Sequence, residues 1–511
     1  IPGAFQIIPA ARLAVYAVSC IIITCKLHIL SIKQAGTARK NNLERHVYFM
    51  EKNNYKTVKK KNLFLPVLTS IILMSCAVFT LCVYNRSNSA KALEETSTSG
   101  NTVSSSAIGI TDNTTNTENE DSTTSPGSSN IKSAPPGELH GVWISFLDYN
   151  SKGYTRESFT RQVKEMFDTC KENNFNTVFV HVRMFSDAMY NSKYFPWSKY
   201  SSGKIGKSPG FDPLSIMVTE AHKRGLKIHA WINPYRITKD TTSNSALARS
   251  SYAYKWRNSK SPSLRRNVLN YGGQLYFNPA KPSVQNLIVN GVKEIVKNYD
   301  VDGIHFDDYF YPNLGTSYRK NFDAKEYNTY ARNSRKNGKT PLGIVAWRRN
   351  NVTKLIRNVY SSVKKLDKNC IFGISPAGNI DNLYLENNYY CDVKKWMGST
   401  GYIDYICPQI YWSFKHPSCP FKKTLKTWTA VPRHKNVRLY TGLAAYRAGI
   451  SSKEASLIGD KSWAKSNTIL KRQIKYSRDT GEVDGFIFFD YADLKRSSAR
   501  KEIKNAVSLF K

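Results

Sequence analysis

The sequence predicts an α/β protein with a TIM-like (β/α)8 barrel, preceded by a membrane segment and a linker. Eight short apolar runs alternate with longer amphipathic segments across residues 138–511, a pattern that indicates parallel βαβ units. No Gly-rich phosphate-binding turn follows any of these runs, which disfavours an open doubly wound sheet. Polar and aromatic residues come directly after the runs, where a barrel carries its loops.

The part of the chain before residue 138 is not predicted to belong to this barrel. Residues 1–49 precede Met50 and are interpreted as an upstream extension or a non-native segment. The short basic segment 50–62 leads into 63–84, an uncharged run of 22 residues. At about 1.5 Å per residue, a helix of this length spans a bilayer. The lysines before it predict a cytoplasmic N-terminus and an extracytoplasmic C-terminal part.

Two interpretations of the apolar run stay open. It is either an uncleaved signal anchor or a cleaved signal, with a lipid on Cys76 as one variant of the second. The apolar residues continue beyond Cys76, which favours the anchor. The Ser-, Thr- and Asn-rich segment 85–137 has little to bury and predicts a disordered linker. The domain 138–511 is therefore expected to lie outside the cell membrane and to be tethered to it.

The predicted domain is strongly basic. Residues 1–137 hold 14 Lys and Arg against 8 Asp and Glu, which leaves 61 against 30, or +31, for residues 138–511. Such a surface attracts nucleic acid, anionic membranes or other anionic polymers. Because the predicted location is extracytoplasmic, nucleic acid is not an expected partner, whereas the membrane and anionic wall polymers are.

The apolar runs and the segments between them predict the elements of the barrel in order. The eight strands are expected at 140–147, 177–182, 226–232, 302–306, 371–375, 405–411, 437–443 and 485–489. Helices are expected between them, for example at 157–173, 212–224, 284–299, 352–366 and 465–480.

The fourth predicted strand ends in two adjacent acids, Asp307 and Asp308. Neighbouring strand residues point to opposite sides, so Ile304 and Phe306 should face the helices. His305 and Asp307 should then face the barrel axis, with His305 one layer below the mouth. Asp307 is the expected central acid, and Asp308 is expected at the rim or in a structural role.

The ends of the other predicted strands add further acids, amides and aromatics to the same rim. Aromatic faces stack on sugar rings, and amides, carboxylates and guanidinium groups bind hydroxyls and amides. A polyhydroxylated substrate is therefore expected. The residues at these strand ends include Asp148, Arg183, Asp187, Asn233, Tyr235, Arg236, Gln409, Tyr411, Trp412 and Asp490.

Several separated motifs carry a resemblance to a known family. They include HGVWISF, FNTVFVHVR, EAHKRGLKIHAWINPYR, VDGIHFDDYFYP, WRRNNV and DYICPQIYW. From about residue 138 onward, the chain resembles the glycoside-hydrolase-like family 10 proteins. The resemblance implies a TIM-like barrel acting on glycans, with bacterial cell-wall glycan the leading substrate. It implies that Asp307 and Asp308 are active-site acids, and that the cleft residues are Arg183, Asp187, Asn233, Tyr235, Arg236, Gln409, Tyr411 and Trp412.

Hydrolysis of a glycoside usually needs two carboxylates, and the residues leave the partner of Asp307 open. Asp308, Asp490, Asp148 and Asp187 are alternatives, and an N-acetyl carbonyl of the substrate could replace one of them. His305 and Asp490 join the substrate-binding candidates because of their strand positions. The expected function is a membrane-tethered glycoside hydrolase of peptidoglycan or a related amino-sugar polymer. A non-catalytic glycan-binding protein, or a transglycosidase or deacetylase on the same barrel, is the alternative.

No cofactor or metal is expected. His181, His229 and His305 fall on three successive predicted strands, but no matching carboxylate cluster accompanies them. His229 is instead expected to be a hydrogen-bonded residue of the barrel interior. Five cysteines lie beyond residue 137 without metal-ligand spacing, so one disulfide is possible and none is required.

Overall fold

The computed structural model of the protein describes residues 134–511. The predicted segments 1–49, 50–62 and 63–84 lie outside the described residues, as does the predicted linker 85–137 up to residue 133. Among residues 134–511, no helix is both long enough and apolar enough to cross a membrane. The five cysteines in this range are all buried free thiols.

A closed barrel of eight parallel strands forms the centre of the described region, and it confirms all eight predicted strands. Around the barrel the order is β1-β10-β9-β8-β7-β6-β3-β2. The strands are β1 (Leu139–Ile144), β2 (Thr177–Arg183), β3 (Lys227–Ile232), β6 (Gly303–Phe306), β7 (Ile371–Ile374), β8 (Tyr405–Ile406), β9 (Arg438–Leu443) and β10 (Gly485–Phe488).

Helices cover the outside of the barrel, and each of the five predicted segments contains a helix. The predicted helix 352–366 begins earlier, at Ile344, and the predicted helix 465–480 begins later, at Ile469. The α-helices between residues 134 and 511 are α1 (Arg156–Glu172), α2 (Lys199–Ser202), α3 (Pro213–His222), α4 (Tyr252–Arg257), α5 (Pro262–Arg265), α6 (Pro282–Asn298), α7 (Ala324–Lys336), α8 (Ile344–Leu366), α9 (Ile380–Leu383), α10 (Val393–Gly398), α11 (Phe421–Thr429), α12 (Ser452–Leu457), α13 (Ser462–Lys465), α14 (Ile469–Asp479), α15 (Tyr491–Lys495) and α16 (Arg500–Val507).

The middle of the barrel is filled by hydrogen-bonded aromatic side chains. The indole of Trp143 donates to Nε2 of His305 (3.0 Å), and the Tyr405 hydroxyl lies 2.9 Å from Nδ1 of His305 and 3.0 Å from Nδ1 of His229. Burial lowers the pKa of both histidines, to about 3 for His229, so both rings are neutral. Gly373 leaves room for this layer, because an added Cβ would lie 2.2 Å from the Tyr405 ring.

An ion pair lies at the end of the barrel opposite the mouth, where β1 begins. The Arg478 guanidinium donates to Glu138 through Nε (2.9 Å) and Nη2 (2.6 Å). His140 contacts the same carboxylate at 2.7 Å and stacks on Phe510 with 4.0 Å between ring centroids. The C-terminal residues are therefore held against β1.

The segment between β3 and β6 contains a hairpin that the sequence analysis did not predict. Its strands are β4 (Val268–Tyr271) and β5 (Gln274–Phe277), paired antiparallel. Gly272 and Gly273 form the turn with φ values of 56° and 78°, which glycine adopts without strain. The hairpin is bonded to the chain that leaves β3, because Phe277 N donates to Tyr235 O and Ile237 N to Leu275 O.

Candidate active site

Asp307 lies at the carboxyl end of β6 and is held by three N–H groups. The Trp231 indole donates to its Oδ2 at 3.0 Å, and the Asn233 amide reaches the same oxygen at 3.5 Å. The backbone N–H of Tyr309 donates to Oδ1 at 3.1 Å. The side chain is only 2% exposed. As the alternation along the strand predicted, Asp307 lies on the same side of β6 as His305, and the contacts of both residues run to the barrel interior.

Asp308 is also buried directly after β6, at 3% exposed. Burial raises the pKa of the Tyr411 phenol well above its ordinary value, and the charges of Tyr446, Asp308 and Asp490 raise it further. The pKa of the buried Cys391 thiol is also raised, first by burial and then by Asp308. The Tyr411 ring itself packs against Tyr446, with 5.7 Å between ring centres, and against Phe489, with 6.1 Å.

Arg236 forms a stacked cationic group on the β3 side of the mouth. Its guanidinium carbon lies 3.9 Å from the centre of the Tyr309 ring and 4.8 Å from that of Phe185. The Asn233 side chain accepts from Arg236 N at 3.1 Å, so one asparagine orients both Arg236 and Asp307. Such stacking preserves the charge of an arginine while removing much of its mobility.

Ser145 connects two further carboxylates at the β1 and β10 ends. Its hydroxyl lies 3.2 Å from Oδ2 of Asp148 and 3.2 Å from Oδ2 of Asp490. Asp148 also accepts from Ser145 N at 2.8 Å, which gives it the local capping contact of a turn. Asp490 is completely buried and begins α15 in a capping box with Asp493.

Gln409, Tyr235 and Trp412 line the walls around these acids. The Gln409 amide donates to Ser375 O at 3.0 Å and bridges the ends of β7 and β8. Tyr235 is fully buried, with its ring edge-on to Phe310. The Trp412 ring is 6% exposed and tilts against His416. These residues shape the mouth, and only Trp412 and Gln409 retain some exposed surface.

Three predicted cleft residues lie apart from this group. Arg183 points out of the barrel, toward Gly291 of α6, and its guanidinium lies 4.2 Å from the Phe195 ring centre. Asp187 is buried inside its own loop, where it accepts from Phe185 N at 3.2 Å. His305 lies one layer below the mouth, with both ring nitrogens bonded to Trp143 and Tyr405. In these positions the three side chains contact the barrel and its loops, apart from the group around Asp307.

Three residues that were not among the predicted site residues also lie at the mouth. Trp231 lies within the quoted motif AWINPYR, and its position two residues before Asn233 puts it on the same side of the strand. Ser145 comes two residues after Trp143 of β1, so it lies on the same side of that strand as Trp143. Tyr309 had no strand periodicity to indicate that its ring would stack on Arg236.

The described residues 134–511 contain no group of three or more His, Cys, Asp or Glu side chains that could hold a metal ion. His181 stacks on Trp231 with 3.9 Å between ring centres, while His229 and His305 share Tyr405. The chemistry available at the mouth is therefore that of carboxylates, amides, a phenol and one guanidinium.

Known proteins resemble this chain over most of its length. The model of the family described as glycosyl hydrolase-like 10 matches residues 138–464. The glycosyl hydrolase YngK of Bacillus subtilis is 34% identical over 380 residues, which make up 70% of this chain and 69% of that protein. The glycosyl hydrolase DigH of Escherichia coli is 33% identical over 376 residues, or 69% of this chain and 82% of DigH.

Among solved structures, barrels of glycoside-cleaving enzymes align with low sequence identity. The catalytic domain of the β-amylase from Paenibacillus polymyxa covers 74% of this chain and 100% of its own, with a TM-score of 0.47 and 11% identity. The PgaB (BpsB) glycoside hydrolase domain from Bordetella bronchiseptica covers 71% of this chain and 98% of its own, with a TM-score of 0.43 and 12% identity.

Proposed function

Because this chain belongs to the glycosyl hydrolase-like 10 family, we propose that it hydrolyses glycosidic bonds with Asp307 and Asp308 as its catalytic acids. The observation that carries the proposal is the setting of Asp307. A buried carboxylate at a barrel strand end, held by Trp231 and Asn233 beside a second acid, is suited to attack or to activate water at an anomeric carbon.

The two acids receive different roles. Three N–H groups surround Asp307, and donors to a carboxylate favour its ionised form. In this proposal Asp307 is the ionised group, which either attacks the anomeric carbon or deprotonates a water. Asp308, which follows Asp307 in the chain, is the proton donor to the departing oxygen. Asp490 is the alternative donor, because it lies directly after β10 at the same end of the barrel.

The proposed substrate is cell-wall glycan, either peptidoglycan or a related amino-sugar polymer. The Lys-flanked apolar run 63–84 and the linker 85–137 support an extracytoplasmic domain tethered to the membrane. The excess of 61 basic over 30 acidic residues in 138–511 supports residence near anionic wall polymers. Aromatic and amide groups around the mouth support binding of N-acetylated sugar rings.

The first test compares the full-length chain with Asp307→Asn, Asp308→Asn and Asp490→Asn. Each is incubated with intact peptidoglycan and with peptide-free glycan strands, and new reducing ends are followed by chromatography and mass spectrometry. Loss of a catalytic acid should lower the rate by about 10²–10⁴-fold. Asp212→Asn is the matched control, because Asp212 caps α3 away from the mouth and asparagine also caps well.

The outcomes separate the proposal from its alternatives. Equal release by the wild type and Asp307→Asn would exclude Asp307 as a catalytic acid. No release by any form, together with co-sedimentation of all forms with the wall, would favour a glycan-binding protein. Release of acetate without new reducing ends would identify a deacetylase.

A further inference from the structure

A completely buried ion pair lies behind the loop that follows the two acids. Arg348, near the start of α8, donates through Nε to Oδ1 of Asp323 at 2.7 Å, and Nη2 lies 2.7 Å from the same oxygen. Both side chains are 0% exposed. Nη2 also donates to the carbonyl of Asn321 at 3.2 Å. Charged groups are almost never buried so deeply unless they are paired, and removing one partner would leave the other charge buried without compensation.

The ion pair fixes the segment 309–311, which comes directly after Asp308. The Tyr311 hydroxyl donates to Oδ2 of Asp323 at 2.8 Å, while Arg348 occupies the other oxygen. Tyr311 is 2% exposed, and its ring also contacts Phe322. The loop that leaves β6 is therefore anchored three residues after Asp308 by a charge-assisted bond.

The same arginine fixes a second segment, 389–391, which pairs with Tyr311. Nη1 of Arg348 donates to the Tyr390 hydroxyl at 3.0 Å, and this hydroxyl donates to Glu386 O at 2.7 Å. The Tyr311 and Tyr390 rings meet edge-on with 4.8 Å between centres. Cys391 follows at once; burial raises the pKa of its thiol well above the ordinary value, and the charge of Asp308 raises it further.

The backbone of this second segment needs such an anchor. Tyr389 and Tyr390 have φ values of 50° and 57°, in a region that costs non-glycine residues about 1 kcal/mol or more each. Tyr311 and Tyr389 form an isolated antiparallel bridge, so the two segments are joined to each other as well as to Arg348. Surrounding contacts must hold two consecutive strained tyrosines in place.

We propose that Arg348 is a positioning residue, which sets the carboxylates of Asp307 and Asp308 by fixing the segments 309–311 and 389–391 to Asp323. The inference rests on the proposed function for its effect on rate. The claim that Arg348 keeps these two segments in a fixed conformation does not depend on that function.

The test on activity uses Arg348→Lys and Tyr311→Phe in the full-length chain. Lysine keeps the charge but cannot make the forked contacts of a guanidinium, and phenylalanine removes one hydroxyl without changing the ring. Because a misplacement of about 1 Å can cost about 10²-fold in rate, Arg348→Lys should lower kcat by about that factor. KM should change by less than about threefold, since no substrate contact is removed. Tyr311→Phe should give a smaller loss of kcat in the same direction.

Arg478→Lys is the matched control. Arg478 is also an arginine in a forked bond to a carboxylate, Glu138, but it lies at the opposite end of the barrel. Both lysine variants should lower the melting temperature. Only Arg348→Lys should lower kcat at a temperature where both variants are folded. Equal kcat values for the two variants would overturn the positioning role.

Amide hydrogen exchange provides a readout that does not need activity. Arg348→Lys should speed exchange in 307–311 and 389–391 relative to β1 and β2, whereas Arg478→Lys should not. If the wild type releases nothing from any glycan, the proposed function fails, and this exchange pattern still decides whether Arg348 keeps the two segments in a fixed conformation. Unchanged exchange in both segments would overturn the inference whatever the activity.

Discussion

At the scale of single residues, Trp231 supplies the shortest of the three hydrogen bonds to Asp307. Its indole stacks on His181 and donates to Asp307 at 3.0 Å. Trp231→Phe keeps an aromatic ring in place and removes this donor. A hydrogen bond to a charged group contributes about 1.5–3 kcal/mol, so kcat/KM should fall by about 10-fold or more.

The pH dependence of this variant follows from the same bond. Without the indole N–H, the ionised carboxylate loses a stabilising donor, so a higher pH is needed to ionise it. The acidic limb of kcat/KM should therefore move to higher pH, as measured in profiles of both proteins. Trp143→Phe is the control, since it removes an N–H donor to His305 one layer below. An acidic limb that stays in place in Trp231→Phe would contradict an ionised role for Asp307.

Strand alternation predicted the side on which Asp307 lies, but the same rule applied to β2 would give the wrong side for Arg183. The pairing of β2 with β3 shifts between His181 and Arg183, so Arg183 pairs with Ile232. Such a bulge adds one residue and reverses the side of everything after it. Arg183 therefore faces α6. Nothing in the run TVFVHVR shows where the extra residue falls, so the sequence alone could not indicate this reversal.

At the scale of elements, a buried carboxylate joins two helices of the outer layer. Glu502 on α16 accepts from Leu470 N, near the start of α14, at 2.6 Å. The side chain is 2% exposed, and burial raises its pKa to about 7 from the ordinary 4.5. The folded protein thus holds this proton more tightly than the unfolded chain does.

Stability should therefore fall as the pH rises from about 4.5 to about 7, because the folded state must give up a proton that it binds strongly. Glu502→Gln removes the ionisation, so it should be more stable than the wild type at pH 8 by roughly 3 kcal/mol at most. Near pH 4.5 the difference should vanish.

Urea unfolding at several pH values measures this difference. Glu172→Gln, which changes an exposed carboxylate at the end of α1, serves as the control and should follow the wild type at each pH. A constant gap between Glu502→Gln and the wild type across the whole range would contradict the buried-carboxylate explanation.

Helices and hairpins could be predicted where the sequence shows a regular spacing of apolar residues or a recognisable turn. The predicted helix 352–366 begins in fact at Ile344. Its first turns were missed because they bury Trp347 and Arg348, and a buried arginine breaks the apolar period. The hairpin β4–β5 was missed although Gly272-Gly273 between apolar runs is a hairpin signal. The contact of Arg348 with Asp323 spans 25 positions and leaves no local pattern.

At the scale of the described region as a whole, the sequence predicts the excess of positive charge, but only the fold shows how that charge is distributed. The outer face of α1 is balanced, with four exposed bases and four exposed acids. Helices α14 and α16, which pack against each other, together expose five basic residues and one acidic residue. Clusters of one sign produce a field that attracts polyanions, whereas neighbouring opposite charges cancel.

This distribution yields a prediction for the proposed wall polymers. The triple variant Lys475→Gln, Lys501→Gln and Lys504→Gln should bind an anionic wall polymer more weakly than the triple variant Arg156→Gln, Lys164→Gln and Lys171→Gln on α1. Both variants lose three positive charges, so the net charge is matched. The difference should appear in co-sedimentation with purified polymer at low salt.

Salt separates this field from specific binding. The screening length falls from about 10 Å at 0.1 M to about 3 Å at 1 M ionic strength, so the polymer affinity of the wild type should fall steeply over that range. Binding of a neutral glycan at the mouth should change little, because hydrogen bonds and ring stacking are screened weakly. If the two triple variants bind the polymer equally, net charge alone governs binding and the α14–α16 face has no special part in it. If salt weakens the binding of the polymer and of the neutral glycan equally, the mouth itself binds through charge. Arg236 is then the next residue to substitute.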